Sequence, residues 1–313
     1  MITWFKSIWQ AVMDWLTAEE SARKVALFRI VFGTVIFLNV LLMAGHLVPY
    51  FSSAGFYSTT MAHSLANPLA FSLFYVLGDG PVIVYAAYVI LVVACLLFIV
   101  GWRSRLMAII LFVLYTSFEM RNPLLFHAGD DILRIALFYT CFLQTDRAFV
   151  LPMLKRVSAR SVPGWPVKLI QFQMACIYLS AGISKVESPQ WWDGSYAYRM
   201  LTLPGRGYFS WHWLLHMPTL ANLLTYSVIW MEISFFFLVW FESTRRLAVI
   251  QAALLHLGIL ATVNVVYFSE IMLSILFLFT LPRDGRDLRI FLTQVRSSVS
   301  KKLVSKASIV SLK

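Results

Sequence analysis

Three polar side chains recur at seven-residue spacing in an otherwise apolar segment: Gln171, Tyr178 and Lys185. A seven-residue repeat drifts only slightly around a helix, so the three predict a polar stripe along a single helix face. Ala181 and Gly182, beside the stripe, would admit close packing or the approach of a ligand. Lys185 would stand at the outer end of this helix. A lysine there either snorkels to the interface or, in an apolar setting, acts as a general base.

Two adjacent tryptophans, Trp191 and Trp192, follow this lysine, between Glu187 and Asp193. Tryptophan is typical of the membrane interface, where one edge of the ring is wet and the rest is apolar. Paired rings of this kind can also cover an aromatic pocket. Both interpretations stay open at this point.

A second polar group opens an earlier apolar stretch and contains His127, Asp130, Asp131 and Arg134. Residues three or four apart share a helix face, so either aspartate can pair with Arg134. His127 falls on the same side if the helix extends that far. Two acids at a helix N-terminus also suit the helix dipole. The pattern predicts either a structural ion pair that caps the helix or the polar wall of an outward-facing cavity.

Three further ionisable residues fall inside apolar segments, where a charge is costly and is commonly functional: Arg29, Glu232 and His256. Arg29 is near enough to one end of its segment to snorkel. Glu232 and His256 lie deeper, and we expect them to pair with each other or with Arg29 or Arg134. Such a pair would either relay protons or hold a helix bundle together.

The elements that position these side chains follow from composition. The 313 residues are 60% hydrophobic and 13% charged, whereas soluble proteins have about 45–50% apolar and about 25% charged residues. This excludes a soluble enzyme, a disordered chain and a fibrous protein, and predicts an all-α integral membrane protein. The three cysteines lie in apolar runs without metal or disulfide spacing, and we expect them to be buried hydrophobes.

About eight segments are apolar enough to be read as transmembrane helices, each needing about 20 residues. They are 25–45, 81–101, 105–121, 124–144, 167–186, 218–240, 247–266 and 267–282, of which the third and fourth are weak. With the N-terminus inside, twenty of the 26 lysines and arginines fall on the cytoplasmic side, four outside and two within spans. The positive-inside rule then predicts cytoplasmic termini and an even number of spans. These cytoplasmic basic residues account for the net charge of +11, and we expect them to attract anionic lipid. No nucleic-acid partner is therefore expected.

The predicted organisation has three parts: residues 1–24, 25–282 and 283–313. The first is a Trp-rich amphipathic helix lying in the interface, with a helix packed on the bundle as the alternative, and it is not a signal peptide. The second is the transmembrane domain. The third is a basic cytoplasmic tail for which no catalytic role is expected. The polar side chains around His127 and Lys185 fall on the non-cytoplasmic side.

These motifs resemble, in the same order, those of the vitamin K-dependent γ-carboxylase-like membrane proteins, also called the horizontally transferred transmembrane (HTTM) domain family. The resemblance covers nearly the whole chain. Its central motif is Gln171-x6-Tyr178-x6-Lys185 followed by Trp192-Asp193-Gly194. The other motifs are Leu27-Phe28-Arg29-Ile30, Tyr50-Phe51-Ser52-Ser53-Ala54-Gly55, Gly101-Trp102-Arg103-Ser104-Arg105, Gly129-Asp130-Asp131-x2-Leu133-Arg134, Glu232, His256 and Phe268-Ser269.

The resemblance implies a membrane enzyme that oxidises a reduced vitamin K-type quinone, menaquinol or similar, with O2. In the animal carboxylase a lysine that matches Lys185 deprotonates the hydroquinone, and the anion reacts with O2. The strong base so formed takes a proton from a glutamate side chain, which adds CO2, and the quinone leaves as the epoxide. We therefore expect catalytic roles for Lys185, His127, Asp130 and Asp131, and no metal. The expected cofactor-binding residues are Arg134, Gln171, Tyr178, Trp191, Trp192, Glu232 and His256.

Two features depart from the animal enzyme. That enzyme has a large lumenal C-terminal portion that helps to hold its peptide substrate, whereas this sequence ends soon after the last predicted span. Carboxylation of a glutamyl substrate is therefore a weaker expectation than quinol oxidation. The histidine that the animal enzyme uses early in the fourth span corresponds to Gly129 or Asp130, with His127 nearby, so its role is left unassigned.

Two other functions stay open beside the enzyme. One is a non-enzymatic membrane factor for maturation or export of a secreted peptide. The other is a transporter or lipid-binding scaffold, with Arg134, Glu232 and His256 as its polar path. The expected location is a bacterial cytoplasmic (inner) membrane. The expected partners are membrane lipid, a quinone and a peptide or protein substrate on the non-cytoplasmic side.

Overall fold

The computed structural model describes residues 2–65, 71–150, 159–202, 205, 207–209 and 211–280, and helices dominate them. The α-helices are α1 (Ile2–Thr17), α2 (Ala22–Leu42), α3 (Leu47–Phe51), α4 (Thr59–Leu65), α5 (Leu73–Leu77), α6 (Pro81–Val100), α7 (Ser104–Arg121), α8 (Ala128–Thr140), α9 (Trp165–Glu187), α10 (Pro189–Trp192), α11 (Tyr196–Thr202), α12 (Pro218–Leu238), α13 (Glu242–Thr262) and α14 (Phe268–Leu276). Short 3-10 helices cover Ala44–His46, Pro123–Leu125, Thr145–Arg147, His212–His216 and Phe277–Phe279. Two strands, β1 (Glu19–Ser21) and β2 (Ser161–Pro163), pair antiparallel.

Five helical segments of the described chain are long and apolar enough to cross a membrane: Ala22–Phe51, which begins with α2, and α6, α9, α12 and α13. They confirm the all-α membrane class. The third, fourth and eighth predicted spans lie on α7, α8 and α14, which are shorter or less apolar. The count of eight spans stays a prediction.

Local sequence signals set the ends of these helices. Helix α6 begins at Pro81, whose missing N–H is harmless in a first turn, and stops at Gly101, which takes the left-handed conformation at φ 85°. Helix α8 begins after His127, which forms a capping box with Asp130. Of the two acids predicted at the N-terminus of α8, Asp130 is therefore part of the helix cap.

Each long helix packs on its neighbour in the chain, and α14 contacts α2, α8 and α13. The last α-helix of the described chain therefore contacts α2, which begins the first of the five membrane-length segments. Cys95 is buried in this packing, whereas Cys141 and Cys176 keep some exposure, and all three are free thiols. The expectation of buried cysteines is confirmed only for Cys95.

Arg29 is fully buried in the packing of α2, so the expectation that it snorkels is wrong. Its guanidinium donates to the carbonyls of Thr145 and Phe149, both at 2.6 Å. A Cβ at position 101 would lie 2.6 Å from Arg29 Nη1, so the glycine there leaves room for the guanidinium. The Arg29 guanidinium therefore connects α2 with two other parts of the fold. These are the corner between α6 and α7 and the loop after α8.

A buried ion pair, Arg121 with Asp79, holds the segment between α2 and α6. Arg121 Nε lies 2.8 Å from Asp79 Oδ2, and Arg121 Nη2 donates to the carbonyl of Tyr57 at 2.8 Å. The hydroxyl of Thr59 also donates to Asp79, at 2.7 Å. These bonds fasten the α3–α5 region to the end of α7.

The N-terminal segment forms the helix α1 over Ile2–Thr17. Its last turn packs on the bundle, since the Trp15 ring meets the edge of Trp240 at 5.6 Å between centroids. Trp9 and Val12 stay exposed. A position in the lipid interface stays a prediction. The predicted basic tail at 283–313 lies outside the described residues.

Glu20 ties the β1–β2 ribbon to the helices, and its charge gives a pH prediction. Its two carboxylate oxygens lie 3.0 Å from Lys24 Nζ and 2.9 Å from Lys168 Nζ. Burial raises the pKa of Glu20, but the two ammonium groups outweigh it and hold this pKa below its ordinary value of 4.5. A carboxyl whose pKa is lowered by folding stabilises the fold above its unfolded pKa, and that contribution is lost as the pH falls through the folded value.

We therefore expect the ribbon to loosen as the pH falls below about 4.5. Hydrogen exchange of peptides covering Glu19–Ser21, corrected for intrinsic rates, measures this change. Glu20→Gln should exchange faster at neutral pH and lose the pH dependence. Exchange in the wild type that does not change across this pH range would contradict the prediction.

Candidate functional site

The end of α9 and the middle of α12 bring Lys185 and Glu232 together. Lys185 Nζ lies 2.7 Å from Oε2 and 2.9 Å from Oε1 of the carboxylate. The lysine side chain is 21% exposed and the glutamate 9%. The ammonium also lies 5.2 Å from the centre of the Trp191 ring. The lysine is thus half-buried in an ion pair beside an aromatic ring, and its position relative to the membrane interface stays a prediction.

Two residues allow this approach. Gly182 faces α12 so closely that a Cβ there would lie 2.6 Å from Ile233 Cγ1 and 3.3 Å from Glu232 Cβ. The second is Trp191, which stacks on Tyr196 at 3.9 Å between ring centroids. The predicted close packing beside the polar stripe is confirmed.

The segment after α9, which contains α10 and α11, covers the Lys185–Glu232 pair. Thr225 of α12 donates to the carbonyl of Gly194 at 2.7 Å, and Tyr226 donates to that of Trp192 at 2.7 Å. These residues of α12 precede Glu232 by about two turns, so α10 and α11 lie over the lysine. The Trp192 ring itself is largely exposed, in contrast to the buried Trp191.

Tyr178 and His256 form a second buried pair, with Tyr178 Oη 2.8 Å from His256 Nε2. Tyr178 precedes Lys185 by two turns, or about 10 Å along the α9 axis. Its ring lies 4.4 Å from that of Phe235. The expected pairing of Glu232 with His256, Arg29 or Arg134 is wrong, because the lysine on α9 takes the glutamate and the tyrosine takes the histidine.

Gln171 completes the stripe on α9 and donates to the carbonyl of Leu278 at 2.8 Å. The seven-residue spacing therefore does place Gln171, Tyr178 and Lys185 along one helix. Each meets a different part of the chain. Gln171 is committed to a backbone carbonyl, and its cofactor role stays a prediction.

A third cluster surrounds Asp130 at the start of α8. Its Oδ1 accepts a 2.5 Å hydrogen bond from the Tyr115 hydroxyl and lies 3.4 Å from the Asn39 amide. Its Oδ2 accepts from the His127 backbone N–H at 2.9 Å. Asp130 thus serves the helix cap and the α7 contact, and does not pair with Arg134.

His127 is the N-cap of α8, so the helix does not extend to include it. Its Nδ1 accepts from the Gly129 N–H at 2.9 Å, which leaves Nε2 to donate to the Val266 carbonyl, also at 2.9 Å. The ring is held by backbone groups on both sides.

Arg134 pairs with Asp131, as the three-residue spacing allowed, at 2.8 Å. A second carboxylate, Glu119 of α7, lies 3.4 Å from Arg134 Nε and is buried. Glu119, Tyr115 and Asn39 were not among the predicted site residues. Glu119 lies in the last turn of α7, where the polar stretch that continues to Asp131 begins, and this was a usable signal. The two neutral residues gave none.

The Asp130 cluster and the Tyr178–His256 pair are linked through the start of α14. Val266 accepts the bond from His127, and the ring of Phe268 lies 5.5 Å from that of His256. Tyr267, between them, takes the left-handed conformation at φ 53°, which is uncommon outside glycine. One strained connection therefore touches both groups.

The fold and these contacts define a helical integral membrane protein with a charged pair, Lys185 and Glu232, between two of its long helices. The HTTM domain model matches residues 18–283, and the chain belongs to the HTTM domain family, the family of vitamin K-dependent carboxylase-like proteins. Searches of curated proteins and of solved structures returned no significant match.

Proposed function

We propose that this protein is a membrane enzyme that oxidises a reduced quinone with O2, and that Lys185 accepts the proton of the quinol hydroxyl. The observation that carries the proposal is the half-buried Lys185–Glu232 pair beneath Trp191. Membership of a family of carboxylase-like proteins supports it. The activity is argued from the site, because a shared fold does not by itself assign a function.

The pair can hold one proton in two ways. It exists either as ammonium and carboxylate or as amine and carboxylic acid, and the two forms differ by one proton transfer along the 2.7 Å contact. The second form presents a neutral amine that can take a proton from a bound hydroxyl. The ammonium then formed lies beside the neutral Glu232 carboxylic acid, which has kept the pair's first proton and accepts no further one in this step. Glu232 is thus the residue that sets the charge of Lys185.

The surrounding side chains fit a quinol. The stacked rings of Trp191 and Tyr196 offer a flat apolar surface next to the amine. A bound quinol supplies the acidic hydroxyl and two electrons, and O2 divides between the epoxide and one molecule of water. The chain would bind the ring, receive the proton at Lys185 Nζ and exclude bulk water under Trp191.

The other predicted site residues receive supporting roles. His127 and Asp130 hold the start of α8, and Asp131 holds Arg134. Tyr178 lies two turns before the lysine on α9, and it contacts Phe235 of α12 and His256 of α13. The proposal does not include carboxylation of a glutamyl substrate.

The test is a direct assay on the purified full chain in detergent. A reduced naphthoquinone and O2 are supplied, and the epoxide is measured by chromatography with mass detection. The wild type should form epoxide, and Lys185→Ala should lower the rate by about 10²–10⁴, the usual contribution of a positioned general base.

The matched control is Arg199→Ala, which removes a cation from the covering segment by breaking the exposed Arg199–Asp193 pair. Its rate should equal that of the wild type. No epoxide from folded wild type with several naphthoquinols would overturn the proposal, and would favour the accessory or transport functions.

A further inference from the structure

A groove opens between α7, α8 and α9, on a different part of the bundle from Lys185. Its volume is about 440 Å³. Aromatic rings form much of its wall, including Phe112, Phe138 and Tyr139. Gln173, which also lines it, is the ninth residue of the 23-residue helix α9, a candidate membrane span. The groove therefore lies beside a helix of membrane-spanning length, away from the ends of that helix.

Polar groups in this groove lack partners. The Thr116 hydroxyl is buried without a hydrogen bond. Within the described part of the chain, neither the Gln173 amide nor the Tyr139 hydroxyl makes a hydrogen bond. An unsatisfied polar group at membrane depth is costly, because no water is present to replace the missing partner. The buried Thr116 hydroxyl, with the partly exposed Gln173 amide and Tyr139 hydroxyl beside it, indicates a ligand that carries hydrogen-bonding oxygen atoms.

The charges around the groove limit which ligand fits. Arg134 lines it, but its guanidinium is already held by Asp131 at 2.8 Å and by Glu119 at 3.4 Å. The groove therefore offers no unbalanced positive charge to an anionic head group. A neutral head group meets the free amide and hydroxyls without repulsion from the two carboxylates.

We infer that this groove binds a membrane lipid with a neutral, oxygen-bearing head group. The head group would contact Thr116, Tyr139 and Gln173, and the hydrocarbon chain would lie along Phe112 and Phe138. Two kinds of lipid carry this chemistry: a ring lipid such as an isoprenoid quinone, and a glyceride such as a diacylglycerol.

The groove is distinct from the site formed by Lys185 and Glu232. Gln173 precedes Lys185 by twelve residues on α9, or about 18 Å along its axis. The inference therefore does not depend on the catalytic role of Lys185.

The test measures lipid binding to the full chain in detergent by native mass spectrometry, with three probes: menaquinone-4, diolein and phosphatidylglycerol. One neutral lipid should bind with one-to-one stoichiometry and in preference to phosphatidylglycerol. The double variant Thr116→Val, Gln173→Leu should weaken this binding by about tenfold, the effect of two lost hydrogen bonds of ordinary strength.

Two controls separate this result from other causes. Gln251→Leu removes a glutamine of α13 that does not line the groove, and should bind lipid as the wild type does. Lys185→Ala should also bind normally if it folds, whatever its epoxidase activity.

Preference for menaquinone-4 would assign the groove to ring lipids, and preference for diolein to glycerides. Preference for phosphatidylglycerol, equal binding by the double variant, or no stoichiometric neutral lipid would each overturn the inference.

Discussion

Replacing Lys185 by methionine should destabilise the protein by about 3 kcal/mol, because Glu232 would keep a buried carboxylate without a counter-charge. This is the low end of the range for breaking a buried ion pair, since the lysine is 21% exposed. The double variant Lys185→Met, Glu232→Gln removes both charges and should recover most of the lost stability. It should stay inactive, because no amine is left to take the quinol proton.

Thermal unfolding in detergent and the epoxide assay, run on the same samples, measure the two effects separately. Arg199→Ala is again the comparison, because breaking an exposed ion pair costs about 1 kcal/mol or less. Epoxide formation by the stable double variant would show that Lys185 serves packing and not proton transfer. If the single and double variants were equally unstable, the stabilising role of Lys185 would not be to balance the charge of Glu232.

Gly182→Ala should destabilise the α9–α12 contact by about 1–3 kcal/mol, the usual effect of overpacking. The added methyl would lie 2.6 Å from Ile233 Cγ1 and 3.2 Å from the Ile233 backbone nitrogen, so the two helices must separate. Because Ile233 adjoins Glu232, we also expect the Lys185–Glu232 contact to lengthen and the epoxide rate to fall.

The matched control is Gly258→Ala on α13, where a Cβ would meet nothing within 4 Å. Alanine is the better helix former by about 1 kcal/mol, so this variant should be neutral or slightly more stable. Unfolding temperatures of the two variants give the comparison directly. Equal effects at both positions would mean that the close approach at Gly182 does not govern the site.

Helix α9 is the element that residue spacing predicted best. The seven-residue spacing of Gln171, Tyr178 and Lys185 correctly predicted one polar stripe, since that pattern depends only on the local helix. The three partners of the stripe come from 47, 78 and 107 residues away in the sequence. Pairing at such separations depends on how the helices pack, and no local spacing encodes it.

The same limit explains the Asp130 cluster. The pairing of Asp131 with Arg134 is local and was predicted as one of two alternatives. The spacing also allowed its neighbour Asp130 to pair with Arg134, but Asp130 accepts hydrogen bonds from Tyr115 and from the backbone of His127. A helix starting after His127 turns the two aspartates to different sides. The exact start of α8 therefore decided which pairing formed.

Arg29 sets an order of events during synthesis. The carbonyls that hold its guanidinium belong to Thr145 and Phe149, which follow it by 116 and 120 residues. At about 5–20 residues per second, the ribosome makes those partners roughly 6–24 seconds after the arginine. The first apolar helix thus enters the bilayer with a cation that has no partner. We expect this cation to stay near the lipid head groups until the loop after α8 is made. The final position of α2 is reached late, although its sequence is translated first.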